Sequence, residues 1–207
     1  LEAIELQDRG YEGIVDERLI LSSGDAIIPG LFFSASEDVY GGAGRADILI
    51  QNELGVQAIA FGNHEFDLGT ALLADLIGGN AADGFAGTAF PYLSANLDFT
   101  PNVDTVDSNG NPVEGLADYV VPDGQAPQGN SIAASTVLTT ASGEKVGVVG
   151  ATTPTLATIS SPGNVGIAPI AFDGNPTPAQ LDALAAEIQA DVDALLVANP
   201  GLNKVVL

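Results

Sequence analysis

Val56-Gln57-Ala58-Ile59-Ala60-Phe61 is an alternating apolar stretch that runs straight into Gly62-Asn63-His64-Glu65-Phe66-Asp67. Alternation marks a buried strand, and the glycine that closes it marks a tight turn. The strand therefore presents an amide, an imidazole and two carboxylates at its carboxyl tip. Open α/β sheets bind their ligands at such tips. His64 is the only histidine in the chain, so all imidazole chemistry falls on this one position.

The flanking patterns extend the same architecture. Arg18-Leu19-Ile20-Leu21-Ser22 is a short apolar run closing on Ser23-Gly24-Asp25, a second strand with a glycine turn. Residues 45–54 carry helical spacing and stop at Gly55, a natural residue just past a helix end. Residues 67–77 predict a helix with Leu68, Leu72, Leu73, Leu76 and Ile77 on one side. Gly78–Gly87 reads as a loop, Tyr92–Leu97 as a strand and residues 98–130 as a long surface excursion. Ile132–Thr140 and Lys145–Val149 alternate on either side of Ala141-Ser142-Gly143, which predicts a hairpin. Residues 160–176 are loop again. Thr177, Pro178 and Gln180 supply a capping box and a first-turn proline for a helix to about Ala198. Its apolar face is Leu181, Leu184, Ala185, Ile188, Val192, Leu195 and Leu196, expected to pack on a sheet. Lys204–Leu207 starts a further strand. Strand and helix in alternation give an α/β fold, a layered sandwich of mixed β-sheets with flanking helices.

The chain opens inside a helical pattern, Leu1-Glu2-Ala3-Ile4-Glu5-Leu6, and closes inside a strand pattern. Domain boundaries ordinarily fall in exposed linkers, so the expectation is one domain over 1–207 that is incomplete at both ends. Beside the 18–22 strand this leaves a sheet position for the remainder of the polypeptide, or another chain, to fill.

Charge narrows the partners. Five Lys+Arg against 27 Asp+Glu give a net charge of −22, which repels nucleic-acid phosphates and anionic membranes. An anionic substrate would be repelled too, unless bound cations reverse the local field. The same acidity is read either as solubility through self-repulsion or as the mark of a protein secreted into a salty or calcium-rich habitat. There is no cysteine, hence no disulfide or thiolate metal site, and no stretch long and apolar enough to span a bilayer.

Glycine before each polar tip lets a short side chain turn into a shared crevice. Asp25 and Asn63 offer hard oxygen donors suited to a divalent cation. Asp67, three residues after His64, is placed to hold the imidazole and raise its pKa. Simpler readings stand beside these: Asp25 as a turn or N-cap residue, Asn63 as a left-handed turn residue, Asp67 as the cap of the 68–77 helix. The loop holding Asp104, Asp107, Asn109 and Asn111 does not match EF-hand spacing, because Gly110 is misplaced, and reads as a solvated turn. Ser34–Gly44, with Glu37, Asp38, Tyr40 and three glycines, is read as a mobile lid flanking the site.

Gly62-Asn63-His64-Glu65, with Asp67 following, resembles the signature of the calcineurin-like metallophosphoesterases, most closely the bacterial 5′-nucleotidase branch. Ser22-Ser23-Gly24-Asp25 with Pro29-Gly30, Tyr92-Leu93-Ser94-Ala95-Asn96 and Val146–Pro154 resemble further segments of that family, in order. The resemblance implies a metallophosphoesterase-like sandwich and two divalent metal ions that bind phosphate and activate water. It implies Asp25 as a bridging metal ligand, Asn63 as a ligand, His64 as the group contacting phosphate and Asp67 as its orienting partner, with Glu65 and Phe66 as packing or support. The family's opening Asp-X-His and its later histidines have no counterpart in these residues. The expectation is therefore a central fragment of a secreted, periplasmic or cell-surface enzyme acting on a small phosphorylated substrate, a nucleotide. By itself the fragment is expected to hold no metal stably and to be inactive. The alternatives are a non-catalytic phosphoesterase-like component of a structural or surface assembly and, last, a cation-binding surface protein.

Overall fold

The computed structural model describes residues 18–106, 108–122 and 125–207, so the helical pattern at Leu1–Leu6 lies outside the described residues. In chain order the elements are β1 (Leu21–Ser22), α1 (Leu31–Tyr40), α2 (Arg45–Leu54), β2 (Ala58–Ala60), α3 (Thr70–Gly78), β3 (Tyr92–Leu93) and β4 (Leu97–Asp98). Then follow β5 (Thr105–Val106), β6 (Pro112–Val113), β7 (Ile132–Ala133), β8 (Ser135–Thr139), β9 (Lys145–Val149), α4 (Leu156–Ile159), β10 (Gly166–Ile167), α5 (Pro178–Ala198) and β11 (Val205–Val206).

Strands β1, β2, β3 and β7 form a parallel sheet in that order. Parallel neighbours need crossover connections, and α1–α2 and α3 provide the first two. Strands β11, β9 and β8 form a second, mixed sheet, with β8–β9 antiparallel and β9–β11 parallel across α5. The expected strand over 132–140 is in fact two. It changes sheets at Ala134, whose carbonyl accepts from Gly150 N at 3.2 Å. This shared corner ties the two sheets together.

The pleat divides the first sheet's side chains between two clusters. Ile59, Tyr92 and Ile132 stand in register on one face and join the main core with Phe61, Phe66, Leu73, Leu76, Ile77 and Phe90. Ala58 and Leu93, on the opposite face, pack with Val148 of the second sheet, supported by Leu21, Ala133 and Leu138. An aliphatic cluster between the sheets and an aromatic-rich core on the other face fix which way each strand turns its side chains.

Helix α2 follows its prediction: it begins after Gly44 and ends at Gly55 (φ 72), whose N–H reaches Gln51 O and Asn52 O. Helix α5 has the expected capping box, Thr177 with Gln180. Its expected buried face is not realised along its length: Leu195 is buried, but Leu181 is 49% exposed. The helix meets the sheet through its carboxyl half, where Gly147 of β9 makes room for the Leu195 side chain.

Three further expectations change. The 92–97 strand breaks after β3, because Ser94 and Asn96 turn inward to bond Thr152. The 98–130 excursion is exposed at the β5–β6 hairpin but returns to the core at Leu116, which is fully buried. Ser34–Gly44 is largely helical: most of it lies in α1, whose Phe33 and Ser36 are buried. Ser36 Oγ donates to Gly42 O and accepts from Ala46 N, fastening α1 to α2.

Candidate active site

The ends of β1 and β2 come into backbone contact. A Cβ on Gly24 would lie 2.2 Å from Gly62 N, and one on Gly62 would lie 2.2 Å from Asp25 Oδ1. Only glycine permits this approach, and Gly24 also has φ 94. Asp25 follows with φ 55, a left-handed conformation uncommon for a residue with a side chain. The simpler reading of Asp25 as an N-cap fails, since Gly30 precedes α1.

Asn63 has φ −82 and ψ −31, which excludes the left-handed turn reading. It stands at the N-cap of a 3₁₀ turn, His64–Phe66, yet its side chain makes no capping bond. In 3₁₀ geometry residues i and i+3 eclipse, and His64 Nδ1 meets Asp67 Oδ2 at 2.5 Å. Asp67 does not cap the next helix, because Gly69 holds that place. Its other oxygen, Oδ1, accepts from Ser160 Oγ at 2.9 Å. The bond to Asp67 holds the imidazole above its ordinary pKa of 6.5, and the charges of Asp67, Asp25 and Glu65 add to the effect. With Nδ1 donating to Asp67, Nε2 is the nitrogen left to meet a ligand.

Beneath the tips, Glu65 is 4% exposed. Its Oε2 accepts from Gly62 N (2.8 Å) and Asp25 N (3.0 Å), and its Oε1 from Ala26 N (2.8 Å). Burial raises its pKa, and these backbone N–H groups pull it back. His64 N closes the arrangement by donating to Asp25 Oδ1 at 3.1 Å. On the far side Thr152 Oγ1 donates to Phe61 O at 3.0 Å and fixes the end of β2.

The geometry thus brings together all four residues singled out from the sequence: Asp25, Asn63, His64 and Asp67. For a divalent cation, Asp25 and the uncommitted Asn63 side chain fit in kind, as hard oxygen donors on abutting turns. They fit as part of a donor set, since no group of three or more His, Cys, Asp or Glu able to hold a metal occurs among the described residues.

No family model matches the sequence. The trifunctional nucleotide phosphoesterase YfkN of Bacillus subtilis is 30% identical over an alignment of 164 residues, taking in 72% of this chain and 10% of that protein. The 5′-nucleotidase of Diplobatis ommata is 34% identical over 145 residues, 70% of this chain and 19% of the relative. The 5′-nucleotidase precursor of Thermus thermophilus shares the fold at TM-score 0.57 and 28% identity, over 97% of this chain and 29% of that one. The chain belongs to the 5′-nucleotidase-like phosphoesterases. It spans between a tenth and a fifth of the curated relatives it matches. The NAD nucleotidase of Haemophilus influenzae, at TM-score 0.53 and 22% identity, shares the fold alone.

Three supports of these tips were not singled out from the sequence. Glu65 was legible as buried company for the tip but not as a three-fold acceptor. Ser160 and Thr152 carry no signal, because their partners lie 93 and 91 residues away.

Proposed function

We propose that these residues form the phosphate-handling part of an enzyme that hydrolyses a nucleotide monophosphate. The observation that carries the reading is the joined pair of tips, with Asp25 held against the turn that presents Asn63, His64 and Asp67. Asp25 and Asn63 would hold a divalent ion with donors from beyond the described residues. A pair of such ions, when bound, neutralises phosphate and lowers the pKa of an attacking water.

The chain's own groups then divide the work. His64, kept protonated by Asp67, offers an Nε2–H to a phosphate oxygen, where it stabilises developing charge or protonates a leaving oxygen. Asp67 fixes the ring's tautomer and direction, and Ser160 fixes Asp67. A surface of −22 charge needs this local concentration of positive charge before an anionic substrate can dwell there.

The reading also puts the protein outside the cytoplasm, as a secreted, periplasmic or cell-surface enzyme; the precursor form of the Thermus neighbour supports it. Among the described residues no helix is long and apolar enough to cross a membrane. A non-catalytic component of a surface assembly is the second reading, favoured by the absence of a three-donor cluster among the described residues.

The test is release of inorganic phosphate from AMP by the full protein, with and without chelator. Chelator-sensitive turnover that falls by about a hundredfold or more in His64→Asn, the scale of a general acid–base group, supports the enzyme. No turnover with any nucleotide at any divalent ion supplied sinks it in favour of the assembly component.

A further inference from the structure

Glu65 lies under the two tips rather than on them, and its carboxylate is the junction between them. From the turn after β1 it takes the amides of Asp25 and Ala26; from the turn after β2 it takes the amide of Gly62. Charge-assisted bonds of this kind are stronger than neutral ones, more so in a buried setting. One of the amides belongs to a residue at φ 55, a conformation that L residues leave unless they are held. The Gly62 amide starts the turn that carries Asn63 and His64, and the His64 amide returns to Asp25 Oδ1. Asp25, Glu65, Gly62 and His64 therefore form a closed ring of backbone and carboxylate bonds.

We infer that Glu65 is a positioning residue that sets the separation between Asp25 and the Asn63–His64 turn, and with it the shape of the cation- and phosphate-binding site. Its oxygens face backbone amides, so it acts through its neighbours and not on substrate. Glutamine cannot replace it, because one of its two ends is an NH₂ group that would confront an N–H donor. Aspartate is one carbon too short to reach both turns. The inference rests on reading the tips as such a site; the hydrogen-bond ring does not depend on that reading.

Amide NMR of the labelled full protein and of its E65Q variant, with Mn²⁺ alone as probe, tests both parts. In the unmodified chain, long-range couplings connect the Asp25, Ala26 and Gly62 amides to the Glu65 carboxyl carbon. Mn²⁺ broadens Asp25 and Asn63 at lower concentration than exposed Asp182 on α5. In E65Q the signals of α5 and the β8–β9 hairpin stay in place. Loss of a charged hydrogen bond speeds exchange of those three amides by about tenfold or more, and the Mn²⁺ needed at Asn63 rises by a similar factor. Missing couplings, unchanged exchange, undiminished Mn²⁺ broadening at Asn63 in E65Q, or unfolding of E65Q throughout would each overturn the proposal. Couplings and local loosening without preferential broadening in the unmodified chain would overturn the cation reading, while upholding Glu65 as the group that sets the tip separation.

Discussion

Ser160 Oγ donates to Asp67 Oδ1 at 2.9 Å across 93 residues of sequence, and the opposite oxygen of that carboxylate takes His64 Nδ1 at 2.5 Å. A serine at the end of α4 thus steadies the carboxylate that steadies the imidazole. Because His64 is the sole histidine, its ring gives a single set of imidazole signals in solution. Its titration midpoint is expected above 6.5, with the Asp67 bond as the main cause. Asp67→Asn should bring it back toward 6.5. The sign for stability follows from linkage: the pair's contribution is complete below 6.5 and disappears as pH rises through the folded midpoint. Coincident midpoints in wild type and D67N would show that the contact does not form.

Phe61 is the hub of the aromatic core beneath the site. Its ring stacks on Tyr92 at 4.6 Å and meets Phe66 and Phe99 at 5.4 and 5.3 Å. Phe61→Ala removes all three contacts where the surrounding sheet cannot collapse to fill the gap. The expected loss is about 3–5 kcal/mol, read from urea unfolding of the two chains. Loss well below 1 kcal/mol would mean the cluster is not packed as described.

Local signals made some elements legible and left others hidden. Gly55 ends α2 and Thr177 starts α5 because the signal for each lies within a turn of the boundary it sets. The site tips were legible for the same reason, since Gly62 to Asp67 are consecutive. Hidden were the features decided by distant partners: the break at Ala134, where one strand serves two sheets, and the Asp67 bond to Ser160. Helix α1 was hidden differently. The exposed, glycine-flanked run Leu31–Tyr40 gives a weak period, and Phe33 and Ser36 are its buried residues.

Arg45 is 3% exposed and reaches Asp83 at 2.8 Å, Tyr40 O at 3.1 Å and the face of Phe85 at 4.7 Å. It thereby holds the glycine-rich loop after α3 against the start of α2. The Arg45 bond lowers the Asp83 pKa below its ordinary 3.8. The contribution is accordingly present above about pH 4 and lost as pH falls through the lowered value. Urea midpoints of wild type and Asp83→Asn should differ at pH 5 and converge toward pH 2. A difference that persists undiminished at pH 2 would contradict the ion pair. High salt should shrink the gap at pH 5, because Asp83 is partly exposed.

Gly24 and Gly55 both have positive φ, at 94 and 72, but only one of them faces a neighbouring backbone. Around Gly55 nothing lies within 4 Å of an added Cβ. Gly55→Ala therefore isolates the conformational cost, roughly 1–2 kcal/mol for a left-handed alanine. Gly24→Ala carries a comparable strain and adds a Cβ at 2.2 Å from Gly62 N and 2.7 Å from Ala60 O. Backbone on both sides cannot yield without separating β1 from β2, which moves Asp25 away from His64 N. The expectation is that G24A destabilises well beyond G55A and, unlike G55A, abolishes phosphate release by the full protein. Equal stability loss in the two variants would mean the strand tips do not abut. Equal loss of activity would mean that the site responds to global stability and not to the contact between its turns.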